Sequence, residues 1–431
     1  MINVSPRKVV SSCVKRYRQT LIGIVAVFAS AGSALADNPA AAEGAELKDQ
    51  AIALERAGKF TEAEDAYRRS MAAYEKAFGP TNPWVGAMLN AIGRVYIRQH
   101  REAEAEPLLK RGLAIMESRM GANSVEVVAP LTRLGTAYQN TKRYPEALPL
   151  FTRAISILHL PQSQQNPELF DSFVHVGDIH RALERFAGAE DAYRKAISAA
   201  DEKGGIGQLE LARVLNLLVL SLRLQNRVGE AQSIAERALA IRRELLPPDS
   251  PLVGQSIEWV GAVAAARREF GKTETYYKAA LAIFDSDKQR DEERVAVISA
   301  NLAAVYFQQA RYADAEPLWK RVVEIREKTV ATNPRALMVA LGRLGEVYDR
   351  QKRIAEAEQV FRRDFEIGLK AYGPDNPEMW DTYAAVGGAW QEAGRYAESE
   401  QMLEKAVSLR EQMAGGDDLR LADVLTHLGT S

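Results

Sequence analysis

Apolar and polar positions recur along this chain with a period of 42 residues. The phrase basic, aromatic, any residue, acidic, alanine, glutamate occurs at residues 59–64 and returns at residues 311–316. We use its alanine slot as the anchor of the repeat, and no insertion or deletion interrupts the anchors. The anchors are Ala63, Ala105, Ala147, Ala189, Ala231, Thr273, Ala315, Ala357 and Ser399. This regularity indicates a repeat protein.

Around each anchor, apolar residues are spaced as on one face of an α-helix. A small residue, most often glycine, lies 12 positions before the anchor, as at Gly93, Gly135, Gly177, Gly261, Gly345 and Gly387. The fourth residue after the anchor is large in most copies, as at Tyr67, Leu109, Phe151, Tyr193, Tyr277, Trp319, Phe361 and Leu403. The seventh is often alanine, as at Ala154, Ala196, Ala238, Ala280 and Ala406. Separations of three, four and seven residues place side chains on one helical face.

Each repeat is therefore predicted to contain two helices of about 14–17 residues, each roughly 21–25 Å long. The small residues are expected to let the two helices of a hairpin approach closely. The large residues are expected to fill the hollow of the next hairpin. Because no hairpin can bury its apolar face alone, stacked repeats would share one continuous core.

Helix boundaries recur with the same period. A capping residue precedes the first helix at Asn82, Ser124, Asn166, Ser250, Asn376 and Asp418. Proline follows directly at Pro83, Pro167, Pro251 and Pro377. Glycine marks the end of the preceding helix at Gly79, Gly121, Gly373 and Gly415. A polar N-cap, proline at the first helical position and glycine after the helix end are the expected signals.

The composition agrees with an ordered, all-α protein. Charged residues make up 26% of the chain and the hydrophobic set 47%, which argues against disorder. The abundant residues of the repeats (alanine, leucine, glutamate and arginine) are strong helix formers.

The first 36 residues differ from the rest. Five basic residues and no acidic residue accompany an apolar run from Leu21 to Ala31, and Ala34-Leu35-Ala36 follows. This order predicts a cleaved secretory signal at residues 1–36. The alternative is a membrane anchor, but spanning a bilayer requires about 20 apolar residues.

Removal of that segment would change the charge and remove the only cysteine, Cys13. Of the 56 Lys and Arg, five lie in the first 36 residues, which leaves 51 against 57 Asp and Glu. Without cysteine, the mature chain would have no disulfide and no thiolate nucleophile. A mild excess of acidic residues also argues against nucleic-acid binding, which favours a clustered basic face.

The repeat columns resemble the tetratricopeptide (TPR) signature. Leu134-Gly135, Tyr138, Ala147, Phe151 and Ala154 match its pattern of W-x2-L-G-x2-Y, A-x3-F and A. The phrases at residues 373–377 (GPDNP) and 89–93 (LNAIG) resemble the 42-residue, kinesin-light-chain-like subclass. The resemblance implies an α-solenoid, a right-handed superhelix of helix-turn-helix hairpins. It assigns nine repeats to residues 37–414, and the repeat register predicts a half repeat or capping helix at residues 415–431.

Two short motifs look like chemistry but fit the repeat better. Residues 266–273 (ARREFGKT) match a relaxed phosphate-loop pattern. A phosphate loop needs a strand before it, whereas the register places this match on a hairpin turn. His175 and His180 are five apart and so point about 140° away from each other on a helix, while a metal pair favours a spacing of four. His180 also falls in a packing column. We therefore predict no metal, cofactor or catalytic residue, and no enzyme.

The resemblance implies that the first helices line the concave face, where a peptide would bind. The columns 18, 15, 11, 8 and 7 residues before each anchor then form the groove. Its predicted peptide-binding residues are Asn90, Arg94, Arg98, Gln139, Asn140, Arg181, Arg213, Asn216 and Arg223.

The later columns change character. An apolar stretch follows at Ala262, Ala265, Ala266, Val297, Ala300, Ala304 and Phe307. An acidic stretch follows at Glu346, Asp349, Asp381 and Glu392. A basic beginning and an acidic end could orient a bound peptide. The alternative is that these columns are ordinary solvated helix faces.

We therefore expect a non-catalytic scaffold that binds a protein or extended peptide, exported to the periplasm of a Gram-negative bacterium. It would bind no nucleic acid and, after signal cleavage, would not insert stably in a membrane. A structural alternative is an envelope protein that self-associates end to end through the C-terminal half repeat.

Overall fold

The computed structural model describes residues 38–159, 168–203, 207–286 and 291–413. Within these ranges the chain forms helices and no strands, as the sequence predicts. The chain divides into two compact units, with the boundary between Ile241 and Arg242.

Unit 1 consists of helical hairpins. Its helices are α1 (Pro39–Arg56), α2 (Phe60–Phe78), α3 (Pro83–Arg98), α4 (Glu102–Met120), α5 (Val128–Asn140), α6 (Tyr144–Leu158), α7 (Glu168–Ala182), α8 (Phe186–Lys203) and α9 (Gln208–Leu224). A 3₁₀ turn, Val125–Val127, precedes α5. Helix α10 (Val228–Leu245) contains the boundary between the units.

Unit 2 continues the pattern. Its helices are α11 (Pro251–Ala266), α12 (Phe270–Ser286), α13 (Glu292–Gln308), α14 (Tyr312–Glu327), α15 (Pro334–Arg350), α16 (Ile354–Tyr372), α17 (Trp380–Glu392) and α18 (Tyr396–Glu411). A 3₁₀ turn, Pro377–Met379, precedes α17. Two predicted segments, the signal at 1–36 and the half repeat at 415–431, lie outside the described residues.

In each unit the helices of a hairpin pack against each other, and each hairpin packs against the next. First helices of successive hairpins also touch, as α3 with α5 and α5 with α7 in unit 1 and α15 with α17 in unit 2. We call the surface formed by these first helices the first-helix face. It is the surface on which the sequence places the groove.

The glycine column has the role that the sequence predicts. A Cβ on Gly93 would lie 2.5 Å from Leu109, and one on Gly177 would lie 2.5 Å from Tyr193. The large side chain thus packs on the glycine of its own hairpin, because the missing Cβ leaves room for it. The expectation that the large residues fill the next hairpin's hollow describes the other part of their packing, since Phe151 also stacks on the ring of His175 in the following hairpin.

The turns within the hairpins share a left-handed residue. It is non-glycine at most turns, with φ between 56° and 59° at His100, Lys142, Glu184, Asn226, Arg268, Ala310 and Lys352. Gly58 and Gly394 occupy the same place, with φ of 76° and 73°. The chain thus turns in the same way whether or not a glycine is present, although the left-handed region favours glycine.

An ion pair fastens each of six turns to the preceding hairpin. The arginine before the second helix bonds the glutamate 37 residues earlier, at distances of 2.6–3.1 Å. The pairs are Arg101–Glu64, Arg143–Glu106, Arg227–Glu190, Arg311–Glu274, Arg353–Glu316 and Arg395–Glu358. In five of them the guanidinium also lies over a Tyr or Trp ring, 4.0–4.5 Å from its centroid. These contacts explain why the basic residue and the final glutamate of the repeat phrase recur.

The helix-start signals are partly confirmed. Asn82 accepts from the Trp84 amide at the start of α3, and Gly79, Gly121 and Gly373 end their helices with positive φ. Asn376 caps the 3₁₀ turn rather than α17 itself. Helix α15 starts one residue before its column, because Asn333 and Pro334 supply the cap and first position there. Asn166, Pro167, Gly415 and Asp418 lie outside the described residues.

The phosphate-loop-like segment lies where the repeat register predicts. Helix α11 ends at Ala266, Arg268 has φ of 59°, and α12 begins at Phe270. The Thr273 hydroxyl donates to the carbonyl of Glu269 at 3.1 Å and is buried. A helix instead of a strand precedes the segment, so its amides are those of an ordinary hairpin turn.

Candidate functional site

A buried carboxylate organises the first polar cluster of unit 1. Glu55, at the end of α1, is buried, and its Oε2 accepts from Arg94 Nη2 at 2.6 Å and from Tyr67 Oη at 3.0 Å. Arg98 Nη1 reaches the other oxygen at 3.4 Å, and its guanidinium lies 4.8 Å from the centroid of the Phe60 ring. We call Glu55, Tyr67, Arg94 and Arg98 the Glu55 cluster. Two predicted groove arginines are thus brought together, with their charge partly balanced by Glu55.

Burial affects the chemistry of this cluster. It raises the pKa of Tyr67 well above the usual range, so the hydroxyl stays protonated and donates to Glu55. Arg94 is half-buried, whereas about half of the Arg98 side chain is exposed. Arg98 is therefore the member of this cluster best placed to meet a partner, and Arg94 mainly holds Glu55.

A second cluster spans three successive first helices of unit 1. His175 Nδ1 lies 2.8 Å from Gln139 Oε1, which joins α7 to α5. Asp178 Oδ1 accepts from Tyr193 Oη at 2.7 Å and lies 3.8 Å from Arg181 Nη2. Arg213 on α9 interacts electrostatically with Asp178 and donates to Glu210 at 2.7 Å. We call Gln139, His175, Asp178, Arg181 and Arg213 the Asp178 cluster.

His175 is a neutral, packed member of the Asp178 cluster. Its ring stacks on Phe151, with centroids 4.6 Å apart and an interplanar angle of 14°. Burial lowers the pKa of His175, and Arg213 lowers it further while Asp178 opposes the change. The ring is thus uncharged at neutral pH and supports Gln139 by a hydrogen bond. Among the described residues no group of three or more potential ligands is arranged to hold a metal ion.

The exposed members of the Asp178 cluster are the arginines. The side chains of Arg181 and Arg213 are 37% and 44% exposed. Guanidinium groups donate in a planar fork to carboxylates and carbonyls. Their placement on adjacent first helices therefore allows one bound segment to contact both.

The remaining predicted groove residues fall into two groups. Asn90 is 1% exposed and Asn216 is 5% exposed, so both lie inside their hairpins. Asn90 Nδ2 donates to the Gly86 carbonyl at 2.9 Å and faces Gly112 on the second helix. Asn140 is exposed and donates to Glu102 at 2.9 Å, and Arg223 is half-buried.

In unit 2 some residues of the predicted apolar and acidic columns line two clefts along the first helices. Val297 and Ala300 line a cleft of about 470 Å³, together with Val339 and Arg335. Arg335 and Val339 also line a second cleft of about 360 Å³, with Glu346 and Asp381. The clefts therefore adjoin each other along α15.

Sequence reasoning missed a buried acid in the second cleft. Asp364 lines it from α16 and is 4% exposed. It occupies the small-residue column, seven positions after the anchor, where most repeats carry alanine. A carboxyl group in a column of alanines was the signal that could have identified it.

Every helix in the part of the chain that the structure describes is too short or too polar to cross a membrane.

The repeat assignment is matched by family models. Two models described as tetratricopeptide repeat match the chain, one at residues 45–118, 168–244, 292–367 and 336–412 and the other at residues 131–158. Together these segments span more than half of the chain. No curated protein matches the chain in sequence.

Two solved structures with TM-scores above 0.5 share the fold. The apo form of RapI is 15% identical, with a TM-score of 0.56 and alignment over 80% of this chain and 97% of RapI. A STAND ATPase with a TPR sensor from Pyrococcus horikoshii is 16% identical, with a TM-score of 0.54 over 85% of this chain and 54% of that one. BtubC (BKLC) from P. vanneervenii is 22% identical, with a TM-score of 0.46 over 54% and 94%. The 42-residue register, the hairpins and the family matches agree, and the chain belongs to the tetratricopeptide repeat family.

Proposed function

We propose that this protein is a non-catalytic scaffold that holds a protein segment or extended peptide against the first-helix face of unit 1. The Asp178 cluster carries the proposal. It gathers amide, carboxylate and guanidinium groups from α5, α7 and α9, and the guanidinium groups of Arg181 and Arg213 remain accessible.

The chemistry of these groups suits a peptide. An extended segment presents backbone carbonyls, which accept from arginine and amide donors, and carboxylates, which arginine binds through two hydrogen bonds. Asp178, anchored by Tyr193, holds Arg181 near the surface without burying it. A preorganised donor loses less side-chain freedom on binding.

The test compares partner capture by three proteins. Wild type, Arg181→Ala/Arg213→Ala and the control Arg69→Ala/Lys195→Ala are immobilised, exposed to extract of the source organism and analysed by mass spectrometry. Arg69 and Lys195 lie on second helices, are exposed and belong to surface ion pairs, so the control removes the same charge. Circular dichroism confirms that all three are folded.

We expect at least one partner that wild type and control recover equally and the Arg181/Arg213 variant recovers at least fivefold less. The partner is then purified and its affinity for the three proteins measured. Equal recovery of every protein by all three would contradict binding at the Asp178 cluster.

We also propose that residues 1–36 direct export. The basic residues, apolar run and Ala34-Leu35-Ala36 site support this proposal. In a Gram-negative host, the mature protein should be found in the periplasm with residue 37 at its N-terminus, as measured by intact mass. Ile24→Arg should keep the uncleaved chain in the cytoplasm, and cytoplasmic wild type with Met1 present would contradict export.

The self-assembly alternative stays a prediction. It depends on residues 415–431, which lie outside the described residues.

A further inference from the structure

Asp364 is a buried acid whose hydrogen bonding is incomplete. Its Oδ2 accepts from Thr382 Oγ1 at 3.3 Å, and its Oδ1 has no hydrogen-bond partner among the residues that the structure describes. A buried carboxylate without full hydrogen bonding is costly to a fold. At the equivalent position of five other repeats the chain carries alanine, which avoids that cost.

The cleft in front of Asp364 exists because of Gly342. In the repeat of α3 and α4, the two equivalent positions hold Asn90 and Gly112, and a Cβ on Gly112 would lie 2.8 Å from Asn90 Nδ2. These two positions therefore face each other across a hairpin. In the repeat of α15 and α16 the glycine lies on the first helix, and a Cβ on Gly342 would meet nothing within 4 Å. Gly342 and Asp364 both line the resulting cleft of about 360 Å³.

The charged groups around the cleft leave it acidic. Two arginines and four carboxyl groups line it, namely Arg335, Arg343, Glu346, Asp364, Glu378 and Asp381. Arg343 bonds Glu346 at 2.8 Å, and Arg335 pairs with Glu378. Both arginines are thus held by surface glutamates, and Asp381 lies close enough to Asp364 to interact with it electrostatically.

We propose that the Asp364 cleft binds a positively charged side chain, arginine or lysine, of a peptide held along the first-helix face of unit 2. The ammonium or guanidinium group would donate to Asp364 Oδ1 and complete its hydrogen bonding. The neighbouring cleft lined by Val297, Ala300 and Val339 would take an apolar side chain of the same peptide. This inference rests on the proposed scaffold function and extends it to a second surface. Unit 1 offers arginines to carbonyl and carboxylate groups of a peptide, whereas the Asp364 cleft would take a positively charged side chain.

The probes are fluorescein-labelled nonapeptide pools with one fixed central residue and alanine, leucine or serine elsewhere. Three pools carry arginine, lysine or citrulline at the centre, and citrulline is the neutral isostere of arginine. Binding is measured by fluorescence anisotropy with wild type, Asp364→Asn, Gly342→Met and the control Glu366→Gln. Glu366 is exposed on the same helix and lies two residues from Asp364.

Wild type and Glu366→Gln should bind a cationic pool at least tenfold more tightly than the citrulline pool. Asp364→Asn should lose this preference, because a neutral amide replaces the carboxylate. Gly342→Met should weaken binding of the cationic pools at least tenfold, because its side chain enters the cleft while Asp364 is unchanged. Asp364→Ala should also fold, because alanine occupies the equivalent position in five other repeats, and it should also lack the preference for cationic pools.

Three results would overturn the proposal. One is equal affinity of wild type for the charged and citrulline pools. Another is a preference that survives in Asp364→Asn. The third is no binding of any pool, and if light scattering then shows self-association of wild type that Asp364→Asn abolishes, the occupant is a second copy of the chain. None of these results affects the Arg181/Arg213 capture experiment, so the two proposals fail separately.

Discussion

Gly345 on α15 faces the ring of Phe361 on α16 so closely that a Cβ on the glycine would lie 2.4 Å from Cε1 of that ring. Phe361 is buried, so the ring has little room to withdraw. The close approach of the two helices in this hairpin therefore depends on the absence of a single methyl group.

Gly345→Ala is expected to destabilise unit 2 by about 1–3 kcal/mol, the usual cost of overpacking a core. The matched control is Gly342→Ala, one helical turn earlier, where a Cβ meets nothing within 4 Å. That change should stabilise the protein by up to about 1 kcal/mol, because alanine is a better helix former than glycine. Urea denaturation followed by circular dichroism measures both, and an equal effect of the two substitutions would contradict the packing argument.

Much of the fold follows from the sequence because repetition averages out local ambiguity. Gly93, Gly177 and Gly345 each pack against a large residue of their own hairpin, and a pattern repeated at one interval identifies such a column. The N-caps Asn333 and Asp291 were harder to predict, because each lies one residue before the position that the 42-residue register assigns to the capping residue.

The candidate site was less predictable because a column gives a position and not its surroundings. Asn90 lies in a predicted groove column, yet its side chain turns toward Gly112, where the missing side chain leaves space. Arg94 and Arg98 predict a basic site, but Glu55 of the preceding repeat lies beside both and partly balances their charge. A contact across one hairpin decides the first case and a contact between successive repeats decides the second, and no single column contains either.

The left-handed turn residues give a second prediction. Ala310 has φ of 56° and is exposed, and an L-residue in this region costs about 1 kcal/mol or more. Ala310→Gly should therefore stabilise unit 2 by about 0.5–1 kcal/mol, after allowing for the greater freedom of glycine in the unfolded chain. The reverse change, Gly394→Ala, should destabilise by a similar amount, since φ is 73° and no atom lies within 4 Å of the new Cβ. Melting temperatures measure both changes. A lower melting temperature for Ala310→Gly, or a higher one for Gly394→Ala, would show that the left-handed conformation of the turn residue does not destabilise the fold.

The ion pair between Glu274 and Arg311 gives a pH-dependent prediction. Arg311 donates to Glu274 at 2.7 Å, as does Lys278, and Tyr306 donates at 2.9 Å. The hydrogen bond from Arg311, followed by that from Lys278, lowers the pKa of Glu274 from 4.5 to about 2. A lowered pKa means that the folded state binds the proton less tightly than the unfolded state. The stabilisation is therefore present above pH 4.5 and is lost as the pH falls toward 2.

Glu274→Gln should lower the free energy of unfolding by about 1 kcal/mol at pH 7, the scale of a partly exposed ion pair within a network. The difference between wild type and variant should shrink as the pH falls below 4.5. Urea midpoints at pH 7, 5 and 3.5 measure it. Glu62→Gln, which removes only an exposed pair with Lys59, should change little. A difference for Glu274→Gln that stays constant with pH would contradict the role of the ionised carboxylate.

Asp364 should have the opposite pH dependence. The pKa of Asp364 is raised to about 7, mainly by burial, while the hydrogen bond from the Thr382 hydroxyl opposes the change and the charge of Asp381 adds to it. Between the ordinary value of 3.8 and about 7, the folded state holds a proton that the unfolded state has released. Stability near this residue is therefore full below pH 3.8 and declines as the pH rises to about 7.

Asp364→Asn removes that decline, because the amide stays neutral at every pH. The variant should match wild type near pH 4 and be more stable by about 2–4 kcal/mol at pH 8. Hydrogen exchange of the amides in α15, α16 and α17, measured by mass spectrometry, reports the opening free energy of this region directly. Glu366→Gln on the same helix supplies the charge control and should follow wild type throughout. If Asp364→Asn were less stable than wild type at pH 8, the carboxylate would have to be satisfied within the fold, and the cleft in front of it would no longer require a cation.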